Sequence, residues 1–267
     1  MLKKLLRGNV RRRIARLEVS GPIDTKARVR VLKALKQVED MKFPALVLRI
    51  DSPGGTVGDS QEIYEALKQL QEKGVKILAS FGNIAASGGV YIAMGAQHIV
   101  SNPGTITGSV GVILRGNNVE RLLEKVGVSF KVIKSGPYKD ILAFDRELTP
   151  AEQQILQELI DTTYNQFVQA IAKARDLSVS AVRAFADGRI FSGEQALTLG
   201  VVDRLGTEED ARSWAAQLTN LPSDTKFFDV TPRPPNPIMR LIPGQKLAQR
   251  LQFELSTAGL PLWMYWP

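Results

Sequence analysis

The chain has 267 residues, 44% of them hydrophobic and 23% charged, and its formal net charge is +8. This length and composition suit one large globular domain or two small ones and exclude a chain that is disordered throughout. The absence of cysteine excludes disulfides, zinc–thiolate sites and thiol nucleophiles. No apolar run approaches the roughly 18–20 residues of a membrane-spanning helix. We therefore expect no transmembrane anchor and no cleavable signal, in a protein that is cytoplasmic or peripheral to a membrane.

Residues 1–13 form a basic arm. Seven lysines and arginines fall within the first sixteen residues, and the first acidic residue is Glu18. Such an arm is typical of a solvated tail and equally of a segment that contacts anionic lipid, and the sequence leaves both open. Nucleic acid is not an expected partner, because aromatic residues make up only 7% of the chain and no motif for reading DNA or RNA is present.

In the first part of the chain, short apolar runs alternate with helical patterns. The apolar runs predict buried strands at residues 14–19, 45–50, 76–80 and 99–100. The intervening patterns predict helices over residues 26–40, 58–72 and 87–96. Strands that alternate with helices through short links predict an α/β fold, with a mainly parallel sheet, right-handed crossovers and flanking helices.

Helices dominate the predictions for the second part of the chain. Thr149-Pro150-Ala151-Glu152 combines an N-cap, a proline at the first helical position and a capping-box glutamate, and it predicts a helix that reaches Arg175. The other predicted elements are strands at 110–114, 129–134 and 201–203 and helices at 120–125, 180–186, 193–199 and 207–218. We therefore expect one domain over residues 14–220, followed over 221–267 by a proline-rich linker and an apolar, aromatic tail.

Ser87 is a candidate nucleophile. In Asn83-Ile-Ala-Ala-Ser87-Gly-Gly it lies where a predicted strand meets a predicted helix, among small residues that allow a substrate backbone to approach. The free N–H groups of a helix start could hold an oxyanion there. A serine at a helix start is also a favoured N-cap, and this motif taken alone favours the cap.

The segment Asp51-Ser-Pro-Gly-Gly55 follows a predicted buried strand. Glycines at the carboxyl end of a parallel strand leave backbone N–H groups free to face a ligand, and open α/β sheets bind ligands at that edge. A plain turn fits this segment equally well. Ser52 competes as a nucleophile, although a serine before proline in a turn has a structural role of its own.

Lys139, in Ser135-Gly-Pro-Tyr-Lys139-Asp140, is a candidate general base. A lysine acts as a base only when it is neutral, a state that burial or a nearby positive charge favours. Taken alone, this motif favours a surface lysine. The single histidine, His98, lies eleven residues after Ser87, roughly 16 Å away along a helix, so we expect it to be structural. Carboxylates form no cluster, and we expect no metal or other cofactor.

Taken in order, the motifs resemble those of the signal peptide peptidase A family. They are Asp51-Ser-Pro-Gly-Gly55, Ala85-Ala-Ser-Gly-Gly89, Thr107-Gly-Ser-Val-Gly111, Ser135-Gly-Pro-Tyr-Lys-Asp140, and the segments Ala186–Ala196 and Leu199–Gly206. The resemblance covers about residues 14–206 and is to the short, single-copy form. It implies a Clp protease/crotonase-like fold and a serine endopeptidase of family S49 that hydrolyses apolar peptides such as remnant signal peptides.

The resemblance also implies a role for each motif. Ser87 aligns with the nucleophile and Lys139 with the general base of a Ser/Lys dyad. Ser109 aligns with a serine that orients the lysine, and the backbone N–H groups of Gly55 and Gly88 align with an oxyanion hole. A lysine base needs no histidine, in agreement with the unfavourable position of His98.

Nearby small and apolar residues predict pockets for apolar side chains of a peptide substrate, namely Ile84, Ala85 and Val112. Short members of the family assemble as rings, in which lysine and serine meet across a protomer boundary. The resemblance therefore implies a homo-oligomer, with an octamer as one candidate size, in which Lys139 serves either its own Ser87 or that of a neighbour. It implies no cofactor.

The family commonly has an N-terminal membrane anchor, and the sequence predicts none here. The basic arm, with Trp263, Tyr265 and Trp266, could bind a membrane surface instead. Alternatively, Leu260–Pro267 could lie in the groove of a neighbour or cap the assembly.

Two other functions share this type of fold. A crotonase-like acyl-CoA enzyme would need a carboxylate as acid or base, and a membrane scaffold would need no chemistry. The segments around Ser87 and Lys139 favour the peptidase over both.

Overall fold

The structure, a computed structural model, describes residues 12–232, 253–254 and 257–265. Its strands are β1 (Ile14–Ser20), β2 (Ala45–Ser52), β3 (Gly54–Thr56), β4 (Lys76–Ala86), β5 (His98–Ser101), β6 (Ile106–Gly108), β7 (Ile190–Ser192), β8 (Arg204–Leu205), β9 (Phe227–Asp229) and β10 (Leu262–Met264). Its helices are α1 (Thr25–Met41), α2 (Val57–Glu72), α3 (Gly88–Ala93), α4 (Glu120–Val126), α5 (Pro150–Arg175), α6 (Val179–Arg183), α7 (Gly193–Thr198) and α8 (Glu208–Leu218). Most of the basic arm and of the proline-rich linker lies outside the described residues.

Local capping fixes where the principal helices begin. Asp24 accepts a hydrogen bond from the backbone N–H of Ala27 (2.7 Å) and starts α1. Thr149 and Glu152 form a reciprocal capping box at the start of α5, which ends at Arg175. The bounds predicted for this long helix are confirmed, because its capping signal is local in sequence.

The main sheet has eight strands, in the order β7-β6-β4-β2-β1-β9, with β5 beside the first half of β4 and β8 beside β5. All of these pairs are parallel except β6 with β7. The predicted α/β fold with a mainly parallel sheet is confirmed. Its carboxyl edge gathers the ends of β2, β4 and β6, where the motifs that contain Gly55, Ser87 and Ser109 are found.

Each face of the sheet is covered by helices. On one face, Ala211 and Ala215 of α8 pack against Val47, Leu78 and Val100. On the other face, α1, α2, α3 and α5 contribute buried side chains to the larger core. Strands β2 and β4 are therefore covered on both sides, which explains why their sequences are almost continuously apolar.

Several predicted strands differ from the observed ones. Residues 129–134 form no strand and are exposed, and of residues 110–114 only Ile113 makes a bridge, to Leu262. An apolar segment forms a strand only when a neighbouring strand satisfies its backbone, and residues 129–134 have no such neighbour within the described chain. The strand predicted at 201–203 is observed at Arg204–Leu205.

Two observed strands follow residue 220, where the predicted domain ends. Strand β9 pairs in parallel with β1 at the edge of the main sheet. Strand β10 pairs antiparallel with β3, which places part of the tail against the segment that ends at Gly55.

Candidate active site

Ser87 stands at a sharp turn between β4 and α3. Its backbone N–H donates to Gly108 O (2.8 Å), and its carbonyl accepts from Tyr91 N (2.9 Å). Its φ of 51° and ψ of −114° are unusual for a residue with a side chain, a conformation that costs roughly 1–3 kcal/mol and is characteristic of functional sites. The residue is 1% exposed, and its Oγ has no hydrogen-bond partner within the described residues. The side chain is therefore not the N-cap that its position allows.

Gly55 and Gly88 lie side by side next to this turn. A Cβ on Gly88 would be 3.1 Å from Gly55 N and 2.8 Å from Ser60 Oγ. A Cβ on Gly55 would be 2.0 Å from Ile23 O, so no other residue fits there without displacing β3. Glycine at both positions lets the two backbones approach each other closely next to Ser87.

Ser109 follows the end of β6, which pairs with the end of β4 through Ala86 and Gly108. Ser109 therefore lies next to Ser87 along the carboxyl edge of the sheet. Its backbone N–H donates to Arg189 O (2.7 Å), its φ is 51°, and it is largely buried. The structure thus brings together four of the predicted residues: Ser87, Ser109, Gly55 and Gly88.

Lys139 is not part of this group within one chain. We call residues 115–148 the extension. Lys139 lies in an exposed turn of the extension, and no hydrogen bond within the described residues joins it to Ser87 or Ser109. The extension leaves many apolar side chains in solvent. They are Leu122, Val126, Val128, Phe130, Val132, Ile133, Tyr138 and Phe144.

An ion-pair network holds the end of the extension against the start of α5. Asp140 pairs with Lys134 (2.6 Å) and Arg146 (2.9 Å), and Arg146 also pairs with Glu152 (2.5 Å). The hydrogen bonds from Arg146 and from the Thr149 backbone lower the pKa of Glu152 from its ordinary 4.5 to about 2. Arg146 and Lys134 likewise hold the pKa of Asp140 well below its usual range. Both carboxylates therefore stay ionised, and the loop that carries Lys139 is fixed at its base.

His98 lies far from Ser87, as predicted. It begins β5 and pairs with Leu78 near the start of β4, about eight strand residues, or roughly 25 Å, from the end of that strand. Its ring stacks on Trp214 at 4.3 Å, and burial lowers its pKa.

Part of the tail occupies the groove beside the glycines. Trp263 lies opposite Gly55 and Met264 opposite Gly54 in the antiparallel pair. On the other side, Leu262 exchanges two backbone hydrogen bonds with Ile113, at 2.9 and 3.0 Å. We call residues 261–265 the tail strand. The side chain of Trp263 is fully buried, so it does not face a membrane in this arrangement. The hypothesis of membrane contact then rests on the basic arm, on the half-buried Tyr265 and on Trp266, which lies outside the described residues.

The predicted pocket residues have different surroundings. Ala85 is fully buried in the core, whereas Ile84 and Val112 are half-buried. Sequence reasoning missed Tyr91 and Phe167, whose rings contact the indole of Trp263. Tyr91 follows Ser87 by one helical turn, a spacing that could have indicated it.

The described residues include no cluster of three or more His, Asp or Glu side chains that is suited to hold a metal ion. Within the same ranges, every helix is too short or too polar to cross a bilayer.

The sequence of this chain is similar to two peptidase families and to several named proteases. Peptidase family S49 matches residues 69–222, and the Clp protease family matches residues 9–103. A Synechocystis protein named "Putative protease slr0021" is 63% identical over 96% of this chain and 97% of its own length. An Enterococcus faecium protein named "Putative signal peptide peptidase SppA" is 38% identical over 75% of this chain and 57% of its own. An Arabidopsis thaliana protein named "Serine protease SPPA, chloroplastic" is 33% identical over 78% of this chain and 32% of its own length.

Solved structures support the fold. A ClpP1 mutant from Listeria monocytogenes superposes with a TM-score of 0.52 and 18% identity, covering 79% of this chain and 98% of its own. A mutant of the 1510-N membrane-bound stomatin-specific protease superposes with a TM-score of 0.54 and 15% sequence identity, covering 83% of this chain and 97% of its own. Since the match to Peptidase family S49 spans more than half of the chain, the chain belongs to that family and is a serine-type peptidase with a Clp protease-like fold.

Proposed function

We propose that this protein is an endopeptidase that hydrolyses extended, apolar peptides with a Ser/Lys dyad, in which Ser87 is the nucleophile and Lys139 the general base. The observation that carries the proposal is the buried Ser87 Oγ, which has no hydrogen-bond partner in the described residues and stands beside the paired amides of Gly55 and Gly88. A hydroxyl without a partner in an apolar interior costs about 1–3 kcal/mol. This cost is explained by a nucleophilic hydroxyl that gains its hydrogen-bond partner only when the base and the substrate are in place.

The chemistry follows from these groups. The neutral amine of Lys139 takes the proton of Ser87 Oγ, which attacks the peptide carbonyl carbon, and the two glycine amides bind the resulting oxyanion. The lysine ammonium then gives its proton to the leaving amine as the C–N bond breaks. In the second half, Lys139 takes a proton from water, the hydroxide attacks the acyl ester, and Ser87 recovers its proton as the carboxylic acid leaves. Ser109 positions the lysine amine during both halves.

We propose further that the lysine comes from a neighbouring protomer of a ring. Within one chain Lys139 is exposed and makes no hydrogen bond to Ser87, and the extension that carries it exposes eight large apolar side chains. Apolar surface of this extent is typical of a protein interface. A ring interface would bury this surface and bring Lys139 to the Ser87 of the next copy.

An apolar peptide substrate fits the groove. A peptide that lies beside β3 would pair its backbone with Gly54–Thr56 and contact the half-buried Ile84 and Val112. The names of two relatives, which contain "signal peptide peptidase" and "SPPA", support remnant signal peptides as natural substrates. Membership of a peptidase family disfavours both alternatives, the acyl-CoA enzyme and the non-catalytic scaffold.

Complementation tests the dyad and the shared site together. Ser87→Ala and Lys139→Ala are each expected to abolish hydrolysis of an apolar peptide. When the two variants are co-expressed and assembled at random, about one quarter of the interfaces join an intact Ser87 to an intact neighbouring Lys139, so about a quarter of the wild-type activity returns.

The controls separate the parts of the proposal. Ser52→Ala removes the competing serine and should leave most of the activity. Mixed assemblies without activity would refute the shared site, while full activity in either single variant would refute the dyad. The rate should also rise between about pH 6 and 9, because only a neutral lysine accepts a proton.

A further inference from the structure

We propose that residues 128–134 of the extension add as a strand to the open edge of β7 in a neighbouring copy, and that this pairing brings Lys139 to the neighbour's Ser87. The inference rests on the proposed function, since it names the surface through which the shared site would assemble. Three observations carry it: an edge strand without a neighbour, a row of isoleucines beside it, and a strand-forming segment that has no neighbour in its own chain.

Strand β7 is an edge of the main sheet, next to the candidate active site. Ser109 N donates to Arg189 O at one end of its pairing with β6 (2.7 Å), and Gly193 N donates to Thr105 O at the other (3.0 Å). Because hydrogen-bonded pairs alternate along an antiparallel ladder, the backbone N–H and C=O of Ile190 point away from β6. Within the described residues no strand lies on that side. Such an edge is a template for a further strand.

A row of isoleucines covers one face of the sheet at this edge. Ile106 is 41% exposed and Ile190 is 43% exposed, and the register pairs Ile106 with the half-buried Ile84 of β4. Side chains alternate between the two faces of a sheet, so all three lie on the face opposite to Phe191, which belongs to the core. The edge therefore offers apolar surface as well as backbone groups to a neighbouring copy.

The complementary segment is residues 128–134 of the extension. Its apolar residues Val128, Phe130 and Val132 follow a period of two and are 46%, 52% and 54% exposed. This alternation is typical of a strand with one apolar face, yet within one chain the segment forms no strand and lies in solvent. The segment and β7 each lack a backbone partner, and each supplies what the other lacks.

The position of Lys139 fixes the direction of the added strand. To reach Ser87, Lys139 must lie at the carboxyl edge of the neighbour's sheet, so the segment runs toward that edge. Strand β7 begins at the same edge, beside Ser109, and the new pairing is therefore antiparallel.

The link between the segment and Lys139 is long enough. An added strand would lie three strand spacings, about 14 Å, from β4, which ends next to Ser87. Lys139 follows Lys134 by five residues (139 − 134), which span about 17 Å when extended. A substrate peptide bound at this edge would lie the same three spacings from Ser87, too far to be cleaved, and this favours a second copy as the occupant.

The first experiment mixes two variants, each with one blocked surface. Val132→Asp places a charge in the added strand, and Ile190→Asp places one on the receiving edge. Each variant alone is expected to sediment as a monomer. A 1:1 mixture should form a dimer and no larger assembly, because only one interface retains an intact segment and an intact edge. Val179→Asp, at an exposed position on α6, is the control and should assemble as the wild type does. A mixture that stays monomeric, or a ring formed by either blocked variant, would overturn the pairing.

Disulfide formation tests the strand itself. The chain has no cysteine, so cysteines introduced on two differently tagged copies report only their own contact. Ile190→Cys is mixed in turn with Phe130→Cys, Lys131→Cys, Val132→Cys and Ile133→Cys, and the mixtures are oxidised. Because side chains alternate between the faces of a strand, the variants at 130 and 132 should crosslink at least fivefold more than those at 131 and 133. Equal yields, or the opposite alternation, would overturn the strand addition.

Activity separates this inference from the proposed function. A chain with Ile190→Asp and Ser87→Ala is mixed with a chain that carries Val132→Asp and Lys139→Ala. Their dimer joins an intact Lys139 to an intact Ser87, so about half of the wild-type activity per chain is expected. When Ser87→Ala and Lys139→Ala are exchanged between the two chains, the dimer should still form and be inactive.

The two ideas fail in different ways. Dimers that form as expected, together with a wild type that cleaves no peptide, would refute the proposed function alone. A wild type that cleaves peptides, together with mixtures that stay monomeric and inactive, would refute the β7 pairing alone.

Discussion

Ser87 and Lys139, the two proposed chemical groups, lie in opposite kinds of surroundings. Ser87 is buried at the end of β4, and its backbone is held by Gly108 and Tyr91. Lys139 is exposed on an extension whose side chains, such as the fully exposed Ile133, face solvent. In the proposed function, one chain supplies the nucleophile and its oxyanion hole, and a second copy supplies the base. The predictions below test each side of this comparison.

The largest effect is expected at Gly55, on the buried side. Gly55→Ala would place a Cβ 2.0 Å from Ile23 O, which displaces β3 and its amide, and the loss of one oxyanion donor lowers kcat by about 10²–10³-fold. Gly58→Ala is the matched control, because a Cβ there meets nothing within 4 Å. It should raise the melting temperature slightly, as alanine does in a helix. Steady-state kinetics and thermal melts on both variants test this prediction. A fully active Gly55→Ala enzyme would refute the proposed oxyanion role of the Gly55 amide.

The next effect concerns the extension. Ile133→Asp places a charge on the exposed apolar surface, which should dissociate the ring and lower activity by about a hundredfold or more, because the general base is lost with the neighbour. The melting temperature should change little, since Ile133 has no packing within one chain to lose. Val29→Asp, at an exposed position on α1, is the control. Sedimentation velocity reports the assembly, and an active monomer would show that the dyad forms within one chain.

Ser109 lies next to Ser87 and is proposed to position Lys139, so its substitution should have an intermediate effect. Ser109→Ala removes the hydroxyl proposed to position the lysine amine, and we expect kcat to fall about tenfold with an altered pH–rate profile. A change in folding alone would not move the pH profile. The exposed Ser223 supplies a control substitution, Ser223→Ala. An unchanged profile in Ser109→Ala would restrict this serine to a structural role.

The smallest effect concerns the base of the extension. Arg146 lowers the pKa of Glu152 from 4.5 to about 2, so this carboxylate contributes stability that is fully present above pH 4.5 and is lost as the pH falls through 2. Glu152→Gln should lower the melting temperature by a few degrees near neutral pH. The difference from wild type should vanish near pH 2. The exposed Glu194 provides the control Glu194→Gln, and a pH-independent difference would exclude the ion pair as its cause.

The features that could be predicted from the sequence are local ones. The capping box at Thr149 determined the start of α5, and the apolar runs of β2 and β4 predicted strands covered on both faces. The ordered motifs, through their resemblance to the family, predict that Ser87, Ser109 and the two glycines belong to one site. The strand predicted at residues 129–134 is wrong. Their apolar pattern fits a strand, but such a pattern carries no information on whether a neighbouring strand exists.

By itself, the sequence determined most of the helices, the buried parallel strands and the family, because capping, hydrophobic periodicity and motif spacing act between residues that are close in the chain. Only the tertiary structure decided which groups meet. It brought Ser87 next to Ser109 through β4–β6 pairing, left Lys139 apart, and laid Trp263 against Tyr91 and Phe167. Those contacts join residues that are up to 172 positions apart (263 − 91). They depend on how the sheet, the helices and the tail pack as one body, which no local pattern encodes.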